Sequence, residues 1–178
     1  MRPPETFTTA RLTARPPQVG DAPAIFAAYA SDPIVTRFLS WKTYTEIPPL
    51  AEWLAGRVES WRTGEGQLTW LLAWRETGEV AGYIGVDLRG NNVVLGYVLA
   101  RKFWGRGLMA EAARFLVDWS LEQPGIYRVW AFCDLENPAS ARVMEKAGMT
   151  REGVLRRWHI CPSMGPTPRD CIVCAKVK

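Results

Sequence analysis

The spacing of apolar residues changes in mid-chain, and that change limits the fold more than any other feature. From Leu68 to Leu99 they fall in three short runs rich in aliphatic and aromatic residues. Two tight turns, Glu76-Thr77-Gly78-Glu79 and Arg89-Gly90-Asn91-Asn92, separate the runs. This spacing predicts strands over 68–74, 80–88 and 93–99, joined as an antiparallel meander. Beyond Leu99 the spacing becomes helical: Leu108, Ala112, Phe115, Leu116 and Trp119 share one side of a helix that Gln123-Pro124-Gly125 stops. Another apolar strand is predicted over 128–133. A strand–helix–strand passage of this length is a crossover, so it implies one parallel pair within a largely antiparallel sheet.

The flanking segments fit the same scheme. Arg11-Leu12-Thr13-Ala14-Arg15 reads as an opening strand stopped by Pro16-Pro17. Asp21 is an expected N-cap for a helix through Ile25, Phe26 and Tyr29, which Asp32-Pro33 would end. A second helix starts near Pro48-Pro49, with Leu50, Leu54, Val58 and Trp61 on one apolar face. Asn137-Pro138 opens a shorter helix stopped at Gly148. Strands over 154–160 and 171–177 close the chain. No repeat or linker divides residues 1–178, so the expectation is one α/β domain of the α+β type. Its mixed, largely antiparallel sheet would have about seven strands flanked by helices.

Composition excludes several classes. The 178 residues are 48% hydrophobic and 22% charged, as in a folded globular chain. The net charge of +4 is scattered rather than blocked, which suits a phosphorylated ligand but is no nucleic-acid signature. Met1-Arg2-Pro3-Pro4-Glu5 lacks the apolar stretch of a signal peptide, and no apolar run reaches about 18 residues. A cytoplasmic enzyme with no membrane partner is the expectation, as monomer or homodimer. Nine tryptophans are many. Trp41, Trp53 and Trp61 either pack the core or wall a substrate pocket. Cys171-Ile172-Val173-Cys174 has the CxxC spelling of a zinc site, with His159 and Cys161 nearby. It lies in a predicted strand, however, where residues three apart point to opposite faces. Buried free thiols and no metal are expected. The lone His159 is read as structural.

The chemistry concentrates where the third strand meets the helix: Tyr97-Val98-Leu99-Ala100-Arg101-Lys102-Phe103-Trp104-Gly105-Arg106-Gly107-Leu108-Met109-Ala110. Gly105 and Gly107 allow a tight turn and a close approach of backbone to ligand. The first amides of a helix have no internal partner and lie at the positive end of its dipole, a receptor for phosphate or pyrophosphate. Arg101, Lys102 and Arg106 add positive charge. The Walker A pattern, GxxxxGK followed by Ser or Thr, is absent. The dinucleotide pattern GxGxxG fails at Ala110, and a meander precedes it rather than an opening βαβ unit. A nucleotide-binding protein is thereby disfavoured.

The stretch over 96–113 resembles the coenzyme A-binding motif of the GNAT superfamily of N-acetyltransferases. That motif is a basic residue or glutamine, two residues, Gly, one residue, then Gly or Ala. Here it is spelled Lys102-Phe103-Trp104-Gly105-Arg106-Gly107. Asn137-Pro138-Ala139-Ser140-Ala141-Arg142-Val143-Met144-Glu145-Lys146-Ala147-Gly148-Met149 is similar to the family's segment running from Asn through Ser or Ala to Glu-Lys-x-Gly-Phe. Thr9-Ala10-Arg11-Leu12-Thr13-Ala14-Arg15 is similar to the start of the branch that acetylates ribosomal-protein N-termini, its alanine-specific members included.

The resemblance implies acetyl-coenzyme A as co-substrate and transfer of its acetyl group to a primary amine, a protein N-terminus or a small molecule, by direct attack on the thioester. It implies a splayed central strand pair. The pantetheine arm would enter there and pair with the backbone of Val98 and Leu99. The pyrophosphate would lie on the amides from Gly105 through Arg106, Gly107 and Leu108 to Met109, with Lys102 and Ala110 in the same motif. Asn137 would contact the arm or simply cap its helix. Many family members protonate the leaving thiolate with a Tyr where this chain has Met144; the ribosomal-protein branch uses a Ser, here Ser140. A Glu commonly found two residues before the Gly-Tyr pair is Val94 here. Asp87, Asp134 and Glu136 are the substitute candidates for a base acting through water. The two departures, Val94 and Met144, leave open a non-catalytic acyl-coenzyme A-binding module on the same fold.

Overall fold

A computed structural model describes residues 3–178. Met1 and Arg2, where the segment read for a leader begins, lie outside the described residues. The meander forms as predicted. Strand β3 (Leu68–Trp74) has the expected bounds, and β4 (Val80–Arg89) and β5 (Asn92–Leu99) each run one residue further into their shared turn. They follow β1 (Phe7–Thr8) and β2 (Leu12–Arg15) and precede β6 (Arg128–Asp134), β7 (Thr150–His159) and β8 (Arg169–Val177). The sheet has eight strands in the order β1-β2-β3-β4-β5-β6-β8-β7. The one not foreseen, β1, is two residues long, too short to show alternation. The crossover makes β5 and β6 parallel, while the other neighbours pair antiparallel.

The helices differ more from their sequence pattern than the strands do. Asp21 has no capping bond to the helix that follows it; its carboxylate accepts instead from the Gln18 amide at 2.7 Å and from Arg15 at 2.7 Å. Helix α1 (Ala22–Ile25) continues as a π-type turn through Phe26–Ala30. Asp32-Pro33 starts a helix as well as ending one: α2 (Pro33–Thr36) has Asp32 as its N-cap, accepting from the Ile34 amide at 2.9 Å. In α3 (Pro48–Thr63), Leu50, Leu54 and Trp61 are buried, but Val58 is 37% exposed. The apolar stripe is therefore narrower than its sequence spacing suggests. Helices α4 (Leu108–Glu122) and α5 (Pro138–Lys146) fall where expected.

Directly paired residues share a face, so Tyr83 and Val98 lie on one side of the sheet. There Tyr83 packs against Tyr29 and against Trp53 of α3. Tyr97, one residue along, points to the other side and meets Ser140 of α5. The N-terminal helices and the α4–α5 pair thus cover opposite faces, each buried against β-branched and aromatic side chains. Trp61 is core, its indole donating to the Thr69 carbonyl at 2.8 Å. Trp41 and Trp53 pack with Tyr44 and Tyr83 around a void of about 10 Å³, too small for a substrate. Among the described residues no helix is long and apolar enough to cross a membrane.

Candidate active site

Strands β5 and β6 begin side by side, with Asn92, Val93 and Val94 opposite Arg128, Val129 and Trp130. Their pairing then stops. Strand β5 stays bonded to β4 along its length, and β6 to β8. Each follows its other neighbour, so the two diverge and leave main chain unpaired. The resulting cleft has a volume of about 600 Å³. Leu95 to Leu99 form one wall, and Phe132 to Asp134 with Asn137 and Ser140 the other. The glycine loop and the first turn of α4 close one end, and Ile34, Val35, Arg37, Phe38 and Leu39, from α2 and the turn after it, line the opposite side.

The orientation of the open backbone corrects one expectation. The Ala100 amide donates to the Ala81 carbonyl at 2.8 Å, and Tyr83 stands opposite Val98. Antiparallel pairing alternates, so Val98 also turns its amide and carbonyl toward β4. A Cβ added to Gly82 would collide with that carbonyl. Val98 thus offers the cleft its side chain. The main-chain groups facing the gap belong to Tyr97 and Leu99, although the Leu99 carbonyl already accepts from Trp104 Nε1 at 2.7 Å.

The loop is built as its glycines demand. Gly105 and Gly107 both hold φ of 76°, and Gly107 is the N-cap of α4 with no side chain to occupy the first amides. Leu108, Met109 and Ala110 therefore present N–H groups at the cleft's end, and all three line it. The Thr9–Arg11 segment braces this turn. Thr9 Oγ1 donates to Glu111 Oε2 at 2.9 Å, and Arg11 Nε to Glu111 Oε1 at 2.7 Å. The basic residues of the loop behave differently from expectation. Lys102 is paired with Glu79, Arg101 with Asp32 at 3.0 Å, and Arg106 lies over the Phe103 ring at 5.8 Å. Of the four residues 101, 102, 106 and 142, only Arg142 lines the cleft, with Lys146 one turn further along α5. Their i, i+4 spacing, a signal present in the sequence, puts both on one face of α5.

Asn137 caps α5, its side chain accepting from the Ser140 amide at 3.2 Å, and it also lines the cleft. Ser140 Oγ lies 2.9 Å from the Tyr97 hydroxyl. Tyr97, the nearest polar partner of Ser140 in the cleft wall, was missed because it sits 43 residues away in sequence. Beside them, burial pushes the Cys133 thiol up to about 11, so it stays protonated near neutrality. Met144 is fully buried and cannot reach the cleft.

The candidate bases separate clearly. Asp87 pairs with Arg89 at 2.9 Å and does not line the cleft. Asp134 lines it, but its side chain is inaccessible to solvent and held by Arg169 and by the Glu136 amide at 2.8 Å. Burial alone would raise its pKa; the Arg169 hydrogen bond, the amide and the nearby positive charge outweigh that and lower it. Glu136 also lines the cleft, contacts Arg169 at 2.9 Å and Arg37 at 3.6 Å, and is 58% exposed. His159 packs edge-on to Phe132, and burial lowers its pKa. Cys171 and Cys174 lie in β8, and all four cysteines are buried free thiols. Among the described residues no His, Cys, Asp or Glu cluster is arranged to hold a metal.

Residues 11–150 match the model of the acetyltransferase (GNAT) domain family. An uncharacterized N-acetyltransferase of Bacillus licheniformis, p20, is 30% identical over 159 residues, covering 87% of this chain and 88% of its own. Among solved structures, a GNAT-family acetyltransferase from Bacillus anthracis superposes with a TM-score of 0.82 at 22% identity, covering 97% of this chain and 98% of that one. RimL, a ribosomal L7/L12 alpha-N-protein acetyltransferase solved with coenzyme A, superposes at 0.84 with 20% identity and the same coverage.

Proposed function

The chain belongs to the GNAT family of acetyltransferases, and we propose that it is an N-acetyltransferase that takes acetyl-coenzyme A in the β5–β6 cleft and acetylates a primary amine in the cytoplasm. The observation that carries this reading is one cleft joining three features. Unpaired main chain of Tyr97 and Leu99 can bond an extended amide-bearing arm. The free amides of Leu108, Met109 and Ala110 at the start of α4 can take a pyrophosphate. A hydroxyl, Ser140, lines the same cleft. Arg142 and Lys146 supply the positive charge that the loop's own two arginines and lysine direct elsewhere. The co-substrate brings an activated acetyl thioester; the protein's part is to hold it, exclude water and manage two protons.

Ser140 is the proton donor to the departing sulfur in this reading. Glu136, more exposed than Asp134, is the better placed of the two carboxylates to accept the amine's proton through water. An α-amine, with a pKa of about 7.7–8.0, needs little help from such a base, whereas a lysine near 10.4 needs more. That favours an N-terminal amine, and the shared fold of RimL, which acts on a ribosomal-protein N-terminus, supports the same choice. A screen of N-terminal Ala and Ser peptides and small primary amines, followed by release of free thiol, tests the proposal. Ser140→Ala is expected to lower turnover while leaving coenzyme A affinity nearly unchanged. Tight coenzyme A binding with no thiol release above background for any amine would make the chain a binding module instead. Val94 and the buried Met144 are the features that favour that second reading.

A further inference from the structure

We propose that Tyr97 is a positioning residue for the transfer: its phenol donates to Ser140 Oγ and so turns the Ser140 proton into the cleft. The inference rests on the assignment of Ser140 above and adds what makes that serine competent. The Tyr97 oxygen lies 2.9 Å from Ser140 Oγ and 3.1 Å from the Ser140 carbonyl. A phenol has one proton to give. With that proton on the carbonyl, Ser140 can donate back to the phenol oxygen, and its own proton then points into the wall. With the phenol proton on Oγ, the Ser140 proton is free to face the cleft. An anion arriving there favours the second arrangement, because it offers the Ser140 proton a charged acceptor.

The surroundings hold this geometry. Ser140 is fixed in the first turn of α5, where its amide donates to the Asn137 side chain at 3.2 Å. Tyr97 lies on β5 three residues beyond Val94, the last to pair with β6, on the face toward α5. Burial raises the phenol's pKa well above its ordinary value, more than the Ser140 hydrogen bond lowers it. Tyr97 therefore keeps its proton as a hydrogen-bond donor and does not serve as the acid. In the step itself the amine nitrogen bonds the acetyl carbon as the carbon–sulfur bond breaks, one proton passes from Ser140 Oγ to the departing sulfur, and the proton that the nitrogen gives up returns through water to the serine. The Tyr97 proton stays on the phenol throughout.

The test is a double-mutant cycle with hydroxylamine as acceptor, a small nucleophile that needs no acceptor pocket. Tyr97→Phe keeps the ring and removes only the hydroxyl. It is expected to lower kcat by about 3- to 10-fold, the loss of one oriented hydrogen bond, with KM for acetyl-coenzyme A unchanged. In the Ser140→Ala background the same substitution is expected to do nothing more. A Ser140→Ala enzyme as fast as the wild type removes Ser140 from the mechanism, and the Tyr97 assignment with it. A slow Ser140→Ala beside an unimpaired Tyr97→Phe overturns the Tyr97 assignment alone. So does a Tyr97→Phe loss that persists in full in the double variant.

Discussion

Gly107 shows how one residue couples stability to binding. Its φ of 76° is open to glycine at little cost, and nothing crowds the position: the nearest atom to an added Cβ is Arg11 Nη2 at 3.7 Å. Conformation, not space, is the reason for glycine here. Gly107→Ala is expected to cost about 1–2 kcal/mol of stability, the penalty of the left-handed region for an L-residue. Relief of that strain would rotate the Leu108 amide away from the cleft, so calorimetric titration should show weaker coenzyme A binding by the same variant. The glycine was legible in the sequence as a turn signal. That Val98 faces β4 and Tyr97 faces Ser140 was not, because strand facing depends on which neighbour a strand pairs with.

At the scale of elements, α3 separates a pattern from its outcome. Four apolar residues at helical spacing were expected on one buried face, yet Leu54 is 1% exposed and Val58 37%. Leu54→Ala is expected to destabilise by about 2–5 kcal/mol, as for other buried leucines. Val58→Ala should change stability by no more than about 0.5 kcal/mol. Urea melts of the two variants check the contrast; equal losses would mean that the helix is rotated about its axis. Element α4 depends on packing of a different kind. The Thr9–Arg11 segment holds Glu111 in the helix's first turn. A motif at the start of the chain thus stiffens the loop a hundred residues later.

The molecule is tied together around Asp134. The carboxylate sits at the end of β6, is held by Arg169 of β8, and lies 3.9 Å from the Cys161 thiol in the turn after β7. Arg169 also reaches Glu136, which meets Arg37 beyond α2. Arg169→Ala would leave a buried carboxylate without its cation, a loss of about 3–5 kcal/mol. The pH dependence has a definite sign. In the wild type Asp134 has a lowered folded pKa, so its contribution is complete above the ordinary value of about 3.9 and is lost as pH falls through the folded value. In Arg169→Ala the uncompensated carboxylate destabilises while charged and is relieved by protonation. The deficit of the variant should therefore be largest near about pH 7 and shrink toward about pH 3, read from denaturant midpoints at each pH.

The sequence by itself determined the order of the main elements, with β1 and α2 unforeseen, the antiparallel meander with its single parallel crossover, and the glycine turn opening α4. Each of these is written in local spacing: period two in strands, period 3.6 in helices, and φ-permissive glycine at turns. The tertiary structure decided which groups share the cleft. Ser140 and Tyr97 meet across 43 positions and Arg169 and Asp134 across 35, while Lys102 turns to Glu79 instead of the glycine loop it precedes. Such pairings depend on where diverging strands leave room, and that divergence arises because β5 and β6 each follow their other neighbour in the sheet.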